Sequence, residues 1–235
     1  MLAIYKKELR SYFTGVIGYV FLVVFLAVAG VVFSYTTLFA MSSDVTAYYT
    51  FMLIFSAIIL PILTMKSFSE EKKTKTEQLF MTAPVSVFSV VFGKFLAAYC
   101  MFAGALILNS LYFLILIPYT QFKFALLLGQ LVALLLVGMV FISIGIFVSS
   151  LTENQLSAAI GSMAIIAFFL AISLVNALIP ANYWIRYVFS GLSIFSRFSA
   201  FSSGYFDIAS LVYFLSMSVV FLYLTWRVYD RRRVG

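Results

Sequence analysis

The sequence has very few residues of the kinds that soluble enzymes use for chemistry. Of its 235 residues none is histidine, one is cysteine (Cys100), and only 10% are charged. Without histidine there is no ordinary zinc site and no His-based catalytic triad, and a single cysteine cannot form an intramolecular disulfide. A soluble domain of this length carries about a quarter charged residues. These shortages exclude an ordinary soluble globular domain.

The residues present in excess are apolar. Hydrophobic residues make up 64% of the chain and aromatic residues 19%, and the mean hydropathy is +1.12. The net charge of +7 would suit nucleic acid, but the lysines and arginines lie between long apolar runs and form no face of a folded domain. Basic residues in that arrangement flank membrane spans. We therefore predict a membrane protein that contacts the lipid bilayer and not nucleic acid.

The apolar runs predict the number of spans. About 20 apolar residues in a helix cross a hydrocarbon core of about 30 Å. Six charge-free runs are long enough, and their densest parts predict spans near residues 16–39, 47–65, 95–117, 124–149, 156–179 and 208–227. The sequence thus predicts an all-α integral membrane protein with a single transmembrane domain over residues 1–235.

The lysines and arginines also predict the orientation. An even number of spans places both termini on one side of the membrane, together with residues 66–94. Of the 15 basic residues, Lys123, Arg186 and Arg197 are left on the other side. Because loops rich in Lys and Arg stay in the cytoplasm, both termini are predicted to be cytoplasmic.

The N-terminal segment, residues 1–14, has the pattern of a helix that lies in the membrane interface. At helical spacing its apolar side chains fall on one stripe: Leu2, Tyr5, Leu9, Tyr12 and Phe13. Its basic residues fall on the opposite side, where they would face anionic headgroups. The alternative is a positively charged start that only sets the topology.

The loop at residues 66–94 is longer than a connection between two spans requires. Thr74 and Glu77 form a capping-box pattern that predicts a helix start, and Pro84 predicts its end. A helix of about nine residues is unstable alone in water and needs a docking partner. Leu79 and Phe80 provide an apolar surface for that contact. The alternative is a solvated hairpin without a partner.

The outer segment, residues 180–207, is unusually aromatic for a loop in water. We expect one or two short re-entrant or interfacial helices there, because backbone at membrane depth must keep its polar groups bonded. The segment is either an outer gate or an aromatic collar. The residues that would form such a gate are Trp184, Arg186, Phe195, Arg197 and Gly204.

Three segments together resemble the permeases of the second class of ABC exporters (type-2 ABC transporter permeases), in their gliding-motility-type subgroup. The first runs from Glu70 to Ser86 and is followed by Gly93-Lys94, at the start of the third span. The others are residues 149–158 and residues 193–207. The likeness covers nearly the whole chain, although Lys75 stands where the family usually has glycine.

The resemblance implies an ATP-driven exporter in the bacterial cytoplasmic (inner) membrane. Such permeases pair with a second permease, identical or related, and bind two ATPase subunits through a cytoplasmic coupling helix. The residues implied in that contact are Glu70, Glu71, Thr76, Glu77, Leu79, Phe80 and Pro84, and Gly93 and Lys94 end the loop. The chain lacks a phosphate-binding loop, because Phe follows Gly93-Lys94 and no Gly lies five positions before. No cofactor is expected in this chain, and ATP and Mg would be bound by the partner ATPase.

The transported substrate is not readable from the sequence, although the apolar interior favours a hydrophobic or amphipathic molecule. Two other functions stay open. One is an ion-coupled secondary transporter, which would need carboxylates or paired broken helices within the spans. The other is a membrane scaffold that transports nothing.

Overall fold

The computed structural model describes residues 2–40, 44–77, 85–116, 124–178, 191, 193–201 and 207–234. All regular elements within these residues are helical. The α-helices are, in chain order, α1 Leu2–Thr14, α2 Val16–Phe33, α3 Thr46–Thr64, α4 Lys66–Lys73, α5 Val87–Ser110, α6 Phe124–Leu151, α7 Gln155–Leu178, α8 Ile194–Ala200 and α9 Ile208–Val234. A π-helix, Ser34–Phe39, continues α2, and a 3-10 helix, Leu111–Leu116, continues α5.

Among the described residues, six helical stretches are long and apolar enough to cross a membrane, which confirms the predicted number. They are Val16–Phe39, Thr46–Lys73, Val87–Ile115, Phe124–Leu151, Gln155–Ser173 and Ile208–Arg232. Each consists mostly of apolar residues, so a helix of this kind can lie in lipid without exposing a polar face. The chain therefore has the architecture of a multi-pass membrane protein.

Helix α5 begins at Val87, whereas the sequence places the third span from residue 95 and leaves the preceding residues in a loop. The Ser86 hydroxyl caps the helix by accepting a hydrogen bond from the Ser89 N–H (3.3 Å). Val90 and Val91 are buried in the first turns. The expected start is too late because Lys94 interrupts the charge-free run by which the span was located.

Helix α4 continues α3 beyond the end of the predicted second span. Met65 between them has helical dihedral angles (φ −55°, ψ −34°), so the chain does not leave the helical conformation there. The sequence places a loop from Lys66 onward because charged residues begin at that position. The structure instead extends the helix to Lys73, below the apolar stretch. We call the end of the bundle that carries α1, α4 and Lys94 the charged end.

Helix α6 is the centre of the bundle. It packs against α3, α4, α5, α7, α8 and α9. Gly145 permits a close approach between α6 and α3, since a Cβ atom at this position would lie 2.1 Å from Thr64 Oγ1. Small residues at such crossings are typical of helices packed in membranes.

The opposite end of the bundle is held by aromatic rings and one buried hydrogen bond. Phe33, Tyr48 and Phe113 pack edge to face, with ring centroids 5.1–6.2 Å apart. The Tyr48 hydroxyl donates to Asn109 Oδ1 (2.5 Å), which joins α3 to α5. Hydrogen bonds between polar side chains on different helices are typical of helix bundles in membranes.

The N-terminal segment forms a helix, α1, that packs along α5 and α2. On the predicted apolar stripe, Leu9 and Tyr12 contact the core, whereas Leu2 and Phe13 are exposed. Ile4 also packs against the core, although it lies outside the predicted stripe. The position of α1 in a membrane interface stays a prediction.

Candidate functional site

The charged end holds a buried lysine between two carboxylates. Lys94 Nζ lies 2.8 Å from Glu71 Oε1 and 3.2 Å from Glu8 Oε1, and it donates to the Ser67 carbonyl oxygen at 2.7 Å. The Lys94 side chain is 2% exposed, and the ammonium also lies 5.0 Å from the ring centroid of Phe68. A buried ammonium is stable when its hydrogen bonds are used and opposite charges surround it. All three N–H donors of Lys94 have acceptors here.

This cluster joins three helices. Glu8 lies on α1, Glu71 on α4 and Lys94 on α5. Gly93 lets α1 come close enough, because a Cβ atom there would lie 3.0 Å from Ile4 Cγ2. Gly93 therefore leaves room for α1, and the adjacent Lys94 forms an ion pair with Glu8 on α1.

A second set of contacts holds α4 against the end of α6. The Ser149 hydroxyl accepts hydrogen bonds from the backbone N–H groups of Phe68 (3.0 Å) and Ser69 (3.1 Å), and it donates to the Met65 carbonyl oxygen (3.0 Å). Lys72 Nζ donates to the carbonyl oxygen of Ser150. These hydrogen bonds use backbone N–H and carbonyl groups at the ends of both helices, and they fix the position of α4 relative to α6.

A third set of contacts reaches the last helix, α9. The rings of Phe68 and Tyr229 pack with centroids 4.6 Å apart. Arg232 lies 3.9 Å from the Glu77 carboxylate and 5.6 Å from the ring of Tyr229. The α4 helix and the turn that follows it are therefore in contact with α5, α6 and α9.

The turn after α4 has a left-handed residue. Lys75 has φ 58°, which non-glycine residues rarely adopt, and its N–H bonds to the Lys72 carbonyl oxygen (3.0 Å). The Thr76 hydroxyl donates to the Glu71 carbonyl oxygen (3.3 Å). Thr74 is the C-cap of α4, and its hydroxyl donates back to the Glu70 carbonyl oxygen (2.8 Å), so it ends this helix. The greater part of the helix predicted to follow lies outside the described residues.

An open cavity of about 620 Å³ lies beside the Lys94 cluster, between α1 and the junction of α3 and α4. It is lined by six charged residues: Lys7, Glu8, Lys66, Glu70, Glu71 and Lys94. It is also lined by apolar residues at the start of α2 and the end of α3, namely Val16, Ile17 and Leu63. The cavity therefore combines charged and apolar walls.

At the opposite end, α8 lies within the segment expected to hold short helices. Ser193 caps α8 by accepting from the Ser196 N–H (3.2 Å). Arg197 lies 3.8 Å from the Asp207 carboxylate. The pKa of Asp207 is lowered, mainly because the Ser210 hydroxyl donates to the carboxylate. Phe195 is partly exposed at 37%.

The structure brings some of the predicted site residues together. Glu71 and Lys94 meet directly, whereas Glu70 is half exposed and forms a 3.6 Å ion pair with Lys66. Glu77 contacts α9 through Arg232. The remaining predicted site residues lie outside the described part of the chain: Leu79, Phe80, Pro84, Trp184, Arg186 and Gly204.

Sequence reasoning missed Glu8, Lys72 and Ser149 as parts of this site. A signal existed for Glu8, which is the one acidic residue in a basic N-terminal segment. Lys72 carries no such signal, because nothing in the sequence distinguishes it from the neighbouring lysines. Ser149 ends a long apolar run, where a hydroxyl suits the capping of a neighbouring helix.

No protein-family model matches the sequence, and no curated protein matches it at a significant level. The function of the chain therefore has to be inferred from its own residues and their geometry.

Proposed function

We propose that the chain is the membrane-spanning permease subunit of an ATP-driven ABC exporter. In this proposal both termini are cytoplasmic, in a bacterial inner membrane, and the chain pairs with a second permease. Two separate ATPase subunits bind ATP and Mg, and residues 78–84 contact them. The substrate is a hydrophobic or amphipathic molecule that leaves the cytoplasm or the inner leaflet. The chain itself performs no hydrolysis.

The observation that carries this proposal is the attachment of α4 to the rest of the bundle. α4 precedes the proposed ATPase-binding segment, and three sets of contacts join it to α5, α6 and α9 through Lys94, Ser149 and Tyr229. Because the ends of these helices are packed together, a displacement of residues 78–84 would move them as a group. A motor protein that pushes on this segment needs a connection of that kind.

Lys94 extends the connection to α1. Since its ammonium bonds to Glu71 on α4 and to Glu8 on α1, movement of α4 is also transmitted to the N-terminal helix. ATP-driven closure of the two ATPase subunits would draw the proposed coupling segments together. The spans of the two permeases would then rearrange at their shared interface and alternate between inward and outward access.

Co-purification tests the proposal. The chain is extracted from native membranes in mild detergent, and the bound proteins are identified and assayed for ATP hydrolysis. We expect an ATPase subunit to accompany the wild-type chain and to be lost from the variant Leu79→Asp/Phe80→Asp. The matched control, Leu79→Met/Phe80→Leu, keeps the apolar surface and should retain the ATPase.

Two results would contradict the proposal. One is a wild-type chain that purifies without any ATPase subunit. The other is an Asp variant that retains both the ATPase and its activity. A comparison of melting temperatures between the two variants separates loss of binding from loss of folding.

The ion-coupled alternative has less support from the distribution of charge. All eight acidic residues lie near the ends of the long helices or outside them: Glu8, Asp44, Glu70, Glu71, Glu77, Glu153, Asp207 and Asp230. A transporter driven by ions needs such groups near the middle of the membrane. Transport that stops when an ionophore collapses the ion gradient, at constant ATP, would favour the alternative.

A further inference from the structure

We propose that the cavity beside α1 binds the headgroup of a zwitterionic phospholipid that carries a phosphate and a primary ammonium. Three of the residues that line the cavity, Glu70, Glu71 and Thr76, are also among those that the resemblance implies in the ATPase contact, but the inference does not depend on ATP-driven export. A ligand site has a typical volume of about 300–1,000 Å³. The cavity of about 620 Å³ lies within that range.

The position of the cavity fits a lipid. Its apolar wall includes Val16 and Ile17, the first residues of a helix that is apolar enough to cross a membrane. Val16 is 76% exposed, so lipid can reach it. A molecule in this cavity is therefore in reach of both apolar and charged groups. That combination matches a phospholipid, whose acyl chains are apolar and whose headgroup is polar.

The charges that line the cavity favour a headgroup without net charge. Three lysines and three glutamates line it: Lys7, Lys66, Lys94, Glu8, Glu70 and Glu71. Their formal charges cancel, so a purely anionic headgroup gains no net attraction. A headgroup with one phosphate and one ammonium can pair with both signs at once.

The outer ion pair is loose enough to exchange partners. Lys66 Nζ lies 3.6 Å from Glu70 Oε2, and the two side chains are 40% and 47% exposed. This distance exceeds that of a direct hydrogen bond, and such exposed pairs contribute little to stability. The inner pairs of Lys94, at 2.8 and 3.2 Å, are short and buried and form the fixed wall.

These contacts assign the two halves of the headgroup. The phosphate binds the ammonium group of Lys66, and the ligand's ammonium binds the carboxylate of Glu70. A primary ammonium donates hydrogen bonds to a carboxylate, whereas a quaternary ammonium has no N–H to donate. The site should therefore prefer an ethanolamine headgroup to a choline headgroup.

Lipid titration followed by native mass spectrometry tests the proposal. The purified full-length chain receives phosphatidylethanolamine, phosphatidylcholine or phosphatidylglycerol with identical acyl chains. We expect phosphatidylethanolamine to bind most tightly. The variant Lys66→Gln/Glu70→Gln should weaken its binding about tenfold, because two charge-assisted hydrogen bonds are lost. The control variant, Lys73→Gln/Glu153→Gln, makes the same change of charge at exposed positions that do not line the cavity.

A steric variant keeps the test independent of charge. Val16→Trp fills the apolar side of the cavity and should also weaken binding of phosphatidylethanolamine. Val20→Trp changes a similarly exposed residue one turn further along α2, outside the cavity, and should leave binding unchanged. Both positions are exposed, so the fold should tolerate tryptophan there.

Four results would overturn the proposal. The first is binding of phosphatidylglycerol as tight as that of phosphatidylethanolamine, which would indicate attraction to net charge alone. The second is a loss of binding in the two control variants as large as that in the cavity variants. The third is unchanged binding in both cavity variants. The fourth is binding of glycerophosphoethanolamine, which has no acyl chains, as tight as that of the lipid, which would make the ligand a soluble one. None of these outcomes bears on whether an ATPase co-purifies.

Discussion

Replacement of Lys94 by methionine is the most direct test of the charged end. The substitution keeps most of the side-chain volume but removes the cation that Glu8 and Glu71 share. It also leaves the Ser67 carbonyl oxygen without this donor. Breaking a buried ion pair from one side costs about 3–5 kcal/mol. The side chains of Glu8 and Glu71 are still 17% and 16% exposed to solvent, so we expect the lower end of that range, about 3 kcal/mol.

The expected loss is large enough to measure by thermal unfolding in mild detergent. For a chain of this length, 1 kcal/mol corresponds to a shift of about 2–4 °C, so Lys94→Met should melt about 6–12 °C below wild type. The matched control is Lys73→Met, which removes an exposed lysine from α4 and should cost less than about 0.5 kcal/mol.

A double variant separates charge from packing. Lys94→Met/Glu71→Gln removes one of the two carboxylates that the first substitution leaves unpaired, so it should melt above Lys94→Met by about 3–6 °C. A loss caused by packing alone would not be recovered in this way. The reasoning is refuted if Lys94→Met melts within about 2 °C of wild type. It is also refuted if the double variant is the less stable of the two.

Two further substitutions test the packing of α6 and the turn after α4. Gly145→Ala should destabilise the chain by about 1–3 kcal/mol, because the added Cβ would meet Thr64 Oγ1 at 2.1 Å. Lys75→Gly should raise the free energy of unfolding by about 0.5–1 kcal/mol, because glycine adopts the φ of 58° without the steric penalty of a Cβ. Both effects are measured as shifts of the melting temperature in the same detergent.

Each of these substitutions has a control in the chain. Gly104→Ala adds the same methyl group where nothing lies within 4 Å, so it should be neutral or stabilising. Lys75→Ala removes the same charge as Lys75→Gly but keeps a Cβ, so it should bring no gain. If Gly145→Ala melts like Gly104→Ala, α6 and α3 are not in close contact there. If Lys75→Ala stabilises as much as Lys75→Gly, the gain comes from charge and not from the backbone.

The sequence predicts the number of spans because that number follows from length and hydropathy alone. A run of about 20 apolar residues needs no knowledge of its neighbours to be recognised. The helix boundaries at the charged end are harder to predict from the sequence. Lys94 and Lys66 each interrupt or end an apolar run, yet both lie on helices that continue through them. Charge alone does not end a helix, and burial of the charge depends on partners far away in the sequence.

The different roles of neighbouring charges could not be predicted for the same reason. Glu70 and Glu71 are adjacent in the sequence, but successive residues of a helix point about 100° apart. Glu71 therefore pairs with the buried Lys94, and Glu70 pairs with the exposed Lys66. Lys72 and Lys73 differ in the same way, since Lys72 is buried against Ser150 and Lys73 is exposed. Which face is buried becomes known only when α5 and α6 are in place.

The pairing of Glu8 with Lys94 also has a consequence for the order of assembly during synthesis. The two residues are 86 positions apart, and ribosomes add about 5–20 residues per second. Glu8 thus waits about 4–17 s for its partner to be made. During that time α2, α3 and α4 are made while α1 has neither Gly93 to lie against nor Lys94 to pair with. The contacts of α1 are complete once α5 has been made, whereas α4 and α5 still need α6 and α9, so the charged end is completed from α1 toward the C-terminus.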